Sequence, residues 1–155
     1  MTTFADLGLR APLVDALAEQ GIIEPFPIQQ QTIEDGLAGR DVCGKAKTGS
    51  GKTLAFGLPM LQNTTPGAES KRPTGLVLAP TRELVRQIVE VLKPLGAAVD
   101  VKVTGIYGGA PMQRQIDDLR KGVDMIIATP GRLIDLLSSA NPPYAHLKVC
   151  MLANI

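Results

Sequence analysis

Apolar positions in this chain recur at two different spacings, and the switch between them marks out the elements. Over residues 11–20, Leu13 and Leu17 share one face with Val14 and Ala18, which predicts a short helix stopped by Gly21. Pro25 and Pro27 fix an extended approach, and Gln29 opens a second helix reaching Leu37. Residues 41–44 form a short apolar, strand-like segment, and residues 52–61 read as a helix. Residues 63–74, with Pro66, Gly67, Lys71, Arg72 and Pro73, are a polar surface connection. Residues 75–79 are continuously apolar, as in a strand buried on both faces. Leu84, Ile88, Val91, Leu92 and Leu95 then recur at helical spacing. Residues 99–107 alternate like a strand until Gly108 and Gly109 break the pattern. A helix over 112–121, a buried strand over 123–128, a helix from 129 to 137 and a last apolar run over 147–152 complete the series. No internal repeat interrupts it.

From residue 41 onward strands alternate with helices, so the expected fold is α/β: a parallel sheet with helices on both faces. Residues 1–40 form a helical segment ahead of it, and residues 41–155 form the α/β domain. Ligands in such sheets sit outside the carboxyl ends of the strands, where the Gly- and Thr-rich turns of this chain fall.

The chemistry concentrates in Ala46, Lys47, Thr48, Gly49, Ser50, Gly51, Lys52 and Thr53, between a predicted strand and a predicted helix. Gly49 and Gly51 let the backbone turn tightly with its N–H groups inward, which suits a polyphosphate. Lys52 would reach the β- and γ-phosphates, and the Thr53 hydroxyl would join a Mg²⁺ site. The helix N-terminus adds positive potential there. Ala46 stands where the general phosphate-loop pattern has its first Gly, and a plain Gly/Ser turn before a helix is the alternative. Gln29 offers the donor and acceptor that an adenine edge needs, although a Gln at a helix start is ordinarily solvated.

Composition narrows the partners. The 155 residues suffice for one domain with a core, with 45% hydrophobic and 20% charged residues. A net charge of +1 confines any basic footprint to a local patch. Trp is absent and aromatics make up 3%, so a nucleic acid would be gripped by its backbone rather than by base stacking. Cys43 and Cys150 lie in apolar runs and read as buried thiols, with no zinc or disulfide pattern. The N-terminus lacks a basic start and an apolar core, no run is long enough to span a bilayer, and a cytoplasmic setting follows.

Two further turns resemble anion sites. Thr129 suits an N-cap, Pro130 the first helical position, and Gly131 and Arg132 then present free N–H groups and a charge. Pro80, Thr81 and Arg82 repeat the arrangement, and Gly108 and Gly109 permit close backbone approach. Ordinary capping explains any one of them. Together, on one sheet edge, they suit a sugar–phosphate backbone held without base reading, with Arg114, Arg120 and Lys121 extending the patch or merely solvated.

With these residues in view, nearly the whole chain resembles the N-terminal RecA-like domain of bacterial-type DEAD-box ATP-dependent RNA helicases. Gly21, Pro25, Ile28 and Gln29 look like the family's adenine-reading Q motif, with Phe4 as its upstream aromatic. Phe26 departs, since the family usually has Thr there. Residues 46–53 match motif I, including its Ala. Residues 80–84, Gly108-Gly109 and residues 129–132 match motifs Ia, GG and Ib. The resemblance implies ATP and Mg²⁺ as cofactors, with Phe4, Gln29 and residues 46–53 on the nucleotide. It also implies single-stranded RNA as partner, held without sequence preference by Pro80, Thr81, Arg82, Gly108, Gly109, Thr129, Pro130, Gly131 and Arg132.

The family's Asp-Glu-Ala-Asp would follow Leu152, where this chain reads Ala153-Asn154-Ile155. The first Asp would hold Mg²⁺ and the Glu would orient the attacking water. Ala153 carries no ligand, and Asn154 neither takes a proton nor carries charge. His146 reads as a loop residue. The expectation is a C-terminally incomplete domain with no complete catalytic set, lacking the second RecA-like domain and inactive as a hydrolase by itself. The alternatives are a non-enzymatic nucleotide- or RNA-binding fragment and a poorly folded truncated product.

Overall fold

The structure is a computed structural model, and it describes residues 2–67, 73–139 and 149–150. It comprises two compact units, Met1–Asn63 and Thr64–Ile155.

The first unit holds α1 (Ala11–Glu19), α2 (Pro27–Leu37) and α3 (Lys52–Asn63). Leu13 and Leu17 of α1 are buried as the periodicity predicts, together with Phe4, Leu7, Leu9, Ile33, Leu54, Leu58 and Leu61. Gln62 ties the chain before α1 to α3: its Oε1 accepts from the Arg10 amide at 2.8 Å, and its Nε2 donates to the Gly8 carbonyl at 2.9 Å. Helices α2 and α3 approach closely because Gly36 has no side chain; a Cβ there would lie 2.9 Å from Cβ of Pro59.

The strand expected over residues 41–44 does not form. These residues belong to no strand, Val42 is 45% exposed, and Cys43 is exposed rather than a buried core thiol. Two apolar residues between Asp41 and Gly44 bury too little to fix a ladder, and among the described residues no partner strand satisfies their backbone. The Cys150 side chain, His146 and residues 151–155 lie outside what the structure describes.

The second unit contains β1 (Gly75–Leu78), α4 (Arg82–Ala97), β2 (Val103–Ile106), α5 (Met112–Lys121), β3 (Met125–Ala128), α6 (Pro130–Ser139) and β4 (Val149–Cys150). The strands make a parallel four-stranded sheet in the order β2-β3-β1-β4. Its two faces are covered by different helices. Leu76, Ile106, Ile126 and Ala128 point to one face and pack with Leu119 of α5 and with Leu133 and Leu136 of α6. Gly105 points to the other, where a Cβ would meet Cγ2 of Val89 at 3.1 Å and Cγ1 of Val85 at 3.4 Å, both on α4. Each fully buried aliphatic side chain here contributes about 1.5–3 kcal/mol. The expected strand over 99–107 is shorter because α4 runs on to Ala97 and the chain then turns at Asp100, whose φ is 60°. Among the described residues no helix is long and apolar enough to cross a membrane.

Asp124 fastens the start of β3. Its carboxylate is buried and accepts from the Lys102 amide at 2.8 Å and the Gly67 amide at 3.1 Å. Asp124→Ala strands both donors, so the unfolding free energy falls by about 1–3 kcal/mol. A lower melting midpoint checks this, and an unchanged midpoint contradicts it.

Candidate nucleotide cleft and carboxyl-edge site

In the first unit the N-terminus of α2 faces the loop before α3. Phe26, Pro27, Ile28 and Gln31 form one wall of a cleft of about 340 Å³, and Lys45, Ala46, Gly49 and Ser50 form the other. The loop turns where the sequence requires it to: Gly49 and Gly51 both have φ of 80°, and the Ser50 amide donates to the Lys47 carbonyl at 3.2 Å. Lys52 lies back across the loop with its Nζ donating to the Ala46 carbonyl at 2.8 Å. Lys47, Thr48 and Gly49 are exposed, and Lys52 and Thr53 are half-buried at the start of α3.

Gln29 is the link between the two walls. It is 1% exposed, not solvated as a Gln at a helix start ordinarily is. Its Oε1 accepts from the Phe26 amide at 2.8 Å, and its Nε2 donates to the Gly51 carbonyl at 3.0 Å. That carbonyl also accepts the first bond of α3, from the Ala55 amide at 3.1 Å. A Cβ on Gly51 would collide with Nε2 of Gln29 and would lie 2.7 Å from Cδ2 of Phe26, so only Gly fits. Phe4 is 1% exposed and is not part of the cleft lining.

The cleft suits a nucleoside polyphosphate. The Ser50 hydroxyl is buried without a hydrogen-bond partner, and a Cβ at Gly49 would meet nothing within 4 Å, which leaves open space over the loop. Among the described residues there is no cluster of three or more His, Cys, Asp or Glu able to hold a metal. A Mg²⁺ in this cleft would be carried on phosphate oxygens, with Thr53 offering a hydroxyl.

The second unit gathers the other predicted residues. Leu78, Ala128 and Ile106 are in register, so β1, β3 and β2 end level and their following turns leave one edge. Two backbone bonds extend the ladder past the strands: the Ala79 amide to the Ala128 carbonyl and the Thr129 amide to the Ile106 carbonyl, both at 2.9 Å. Thr81 caps α4, its Oγ1 accepting from the Leu84 amide at 3.3 Å. Arg82 follows, with a guanidinium nitrogen 2.9 Å from where a Gly109 Cβ would be. Gly109 has φ of 83°. Arg132 donates to the Ala110 carbonyl at 3.0 Å, tying the start of α6 to the same Gly-Gly turn. Thus Arg82, Gly109 and Arg132 converge, while Thr81, Pro130 and Gly131 stay exposed and Gly108 and Thr129 are half-buried.

Arg82 is also paired with Glu83 at 2.8 Å. The bond raises the guanidinium pKa and, as its largest cause, lowers that of the Glu83 carboxyl. Arg120 and Lys121 pair with Asp117 and Asp118 at 3.8 and 3.5 Å, which neutralises much of the suggested extension of the patch.

Sequence reasoning missed several lining residues. Pro27, Gln31 and Lys45 line the cleft beside Phe26 and Ile28, the two that the sequence offered only through the family resemblance. Gln115 is buried, and its Nε2 donates to the Tyr107 carbonyl at 2.9 Å below the Gly-Gly turn. Nothing in its spacing distinguishes it from a solvated helix residue.

Residues 26–152 match the family model for the DEAD/DEAH box helicases, and the chain belongs to that family. It is 50% identical over 137 residues to the ATP-dependent RNA helicase DeaD of Escherichia coli strain K12, covering 88% of this chain and 22% of that protein. It is 40% identical over 149 residues to DEAD-box ATP-dependent RNA helicase 45 of Oryza sativa subsp. japonica, covering 94% of this chain and 16% of the relative. The RNA helicase Prp28 from Chaetomium thermophilum, solved bound to ADP, superimposes with a TM-score of 0.81 at 38% identity, covering 95% of this chain and 37% of that one. The chain thus spans about a fifth of the curated relatives' length, as the 22% coverage shows.

Proposed function

We propose that this chain binds Mg²⁺·ATP or ADP in the cleft of its first unit and single-stranded RNA along the carboxyl edge of its sheet, as part of a DEAD-box RNA helicase. The observation that carries the nucleotide reading is the phosphate loop itself: open space at Gly49, an unpartnered Ser50 hydroxyl and Lys52 poised across the loop. Backbone N–H groups of residues 48–52 would hold the phosphates, and Lys52 would exchange the Ala46 carbonyl for a phosphate oxygen. Thr53 would orient the Mg²⁺, whose part is to screen phosphate charge. For RNA, the exposed helix starts at Thr81-Arg82 and Pro130-Gly131 offer N–H groups, and Gly109 lets a sugar–phosphate chain lie against the backbone.

A thermal melt with and without Mg²⁺·ADP tests the cleft. Ligand at a hundred times its dissociation constant stabilises by about 2.7 kcal/mol, and Lys52→Ala removes most of the shift. A shift that survives Lys52→Ala, or no shift in the parent chain, contradicts the site.

RNA binding should weaken as salt rises, and Arg82→Ala or Arg132→Ala should each lower the salt slope by about one phosphate contact. Titrations at several salt concentrations measure this. Binding indifferent to salt and to both substitutions contradicts the edge site.

A further inference from the structure

The Gly-Gly turn at the carboxyl edge is gripped at both ends by side chains from two different helices. The carbonyl just before the pair, on Tyr107, accepts from Nε2 of Gln115 in α5 at 2.9 Å. The carbonyl just after it, on Ala110, accepts from Arg132 in α6 at 3.0 Å. The two grips differ in kind. Arg132 is charged and half-buried, whereas Gln115 is neutral and 6% exposed. Gln115 shares the buried face of α5 with Leu119, four residues on, where an apolar side chain is the ordinary choice. Its placement there is unfavourable in one respect, because Oε1 is buried without a hydrogen-bond partner. Turning the amide over would set Oε1 against the Tyr107 carbonyl, acceptor against acceptor, so the orientation is fixed. A Leu or Met would fill the position with no orphaned atom. What Gln115 adds is the bond to Tyr107. Among the described residues β2 is the last strand on its side of the sheet, so no further strand is there to take that carbonyl.

We propose that Gln115 is a positioning residue for RNA: it fixes the Tyr107 peptide, and through it the Gly108-Gly109 backbone, where the turn can meet a sugar–phosphate chain. The inference rests on the carboxyl edge being an RNA site. Two glycines in succession have the widest backbone freedom, so the shape of the turn is left to whatever holds its ends. Gly109 is exposed at the tip, with φ of 83°. Arg132 has N–H groups that a phosphate can share, whereas Gln115 is buried and acts only through the turn.

The test is binding of a labelled single-stranded oligouridylate by the full 155-residue chain, at several salt concentrations and well below the melting midpoint. Gln115→Met keeps the volume and removes the donor. It should raise the Kd about tenfold, the loss of one charge-assisted contact to phosphate. The salt slope should not change, because no cation is removed. Gly109→Ala disturbs the turn directly, through its φ of 83° and a Cβ 2.9 Å from the Arg82 guanidinium. Adding Gln115→Met to Gly109→Ala should weaken binding little further, as for two residues that act through one element. Leu119→Ala, on the same face of α5, should lower the melting midpoint and keep the Kd. The assignment is overturned, with the RNA site left standing, by an unchanged Kd or a lowered salt slope in Gln115→Met. Full additivity with Gly109→Ala, or an equal loss of affinity in Leu119→Ala, overturns it in the same way. Absence of a cooperative melt in both Gln115→Met and Gln115→Leu also overturns it, since the residue is then a requirement of the core. Failure of the parent chain to bind the oligouridylate overturns both this role and the RNA site.

Discussion

One side-chain amide bridges the two walls of the cleft in the first unit. Gln29 joins the start of α2 to the start of α3 through two bonds, one to the Phe26 amide and one to the Gly51 carbonyl. Buried polar groups of this kind are costly unless fully paired, and Gln29 is paired at both ends. The consequence is geometric. With the amide in place, the loop over residues 46–51 stands across an open cleft from the turn that carries Phe26 and Pro27. Gly51 has to be glycine for two reasons at once: its φ of 80° and the Gln29 and Phe26 atoms where a Cβ would be.

In the second unit, register plays the corresponding role. Because Leu78, Ala128 and Ile106 are paired across parallel strands, the turns that follow them cannot be staggered. The Gly-Gly turn then lies between two arginines, with Arg82 against Gly109 and Arg132 on the Ala110 carbonyl. Helices pack on opposite faces of the sheet behind this edge, α4 through Val85 and Val89 and α5 and α6 through Leu119, Leu133 and Leu136. The three short turns are thereby gathered along one edge of the sheet.

Much of this was legible in the sequence, for identifiable reasons. Helix α5 was read with its observed ends, Met112–Lys121, since Pro111 and Gly122 flank it. The β1 and β3 runs were continuous enough to announce buried strands, and α4 was plain from its periodicity, although Val85 is more buried than Leu84. What failed needed partners to decide it. Residues 41–44 resemble a strand only locally, and their Cys43 is exposed instead of buried. Gln29 could not be seen as buried, because its partner Gly51 is 22 residues away. The exposed ring of Phe26 was visible only as a departure from the family, and Gln31 not at all; both acquire meaning from the cleft they line.

The most direct measurement is amide hydrogen exchange at Phe26, with and without Mg²⁺·ADP. That N–H donates to Gln29, so its exchange reports whether the brace is kept. If Gln29 stays on the backbone with nucleotide in the cleft, Phe26 exchange is as slow with Mg²⁺·ADP as without it, or slower. Faster exchange on adding ADP means that the nucleotide has drawn Gln29 away to itself, and the brace is then not what holds the cleft.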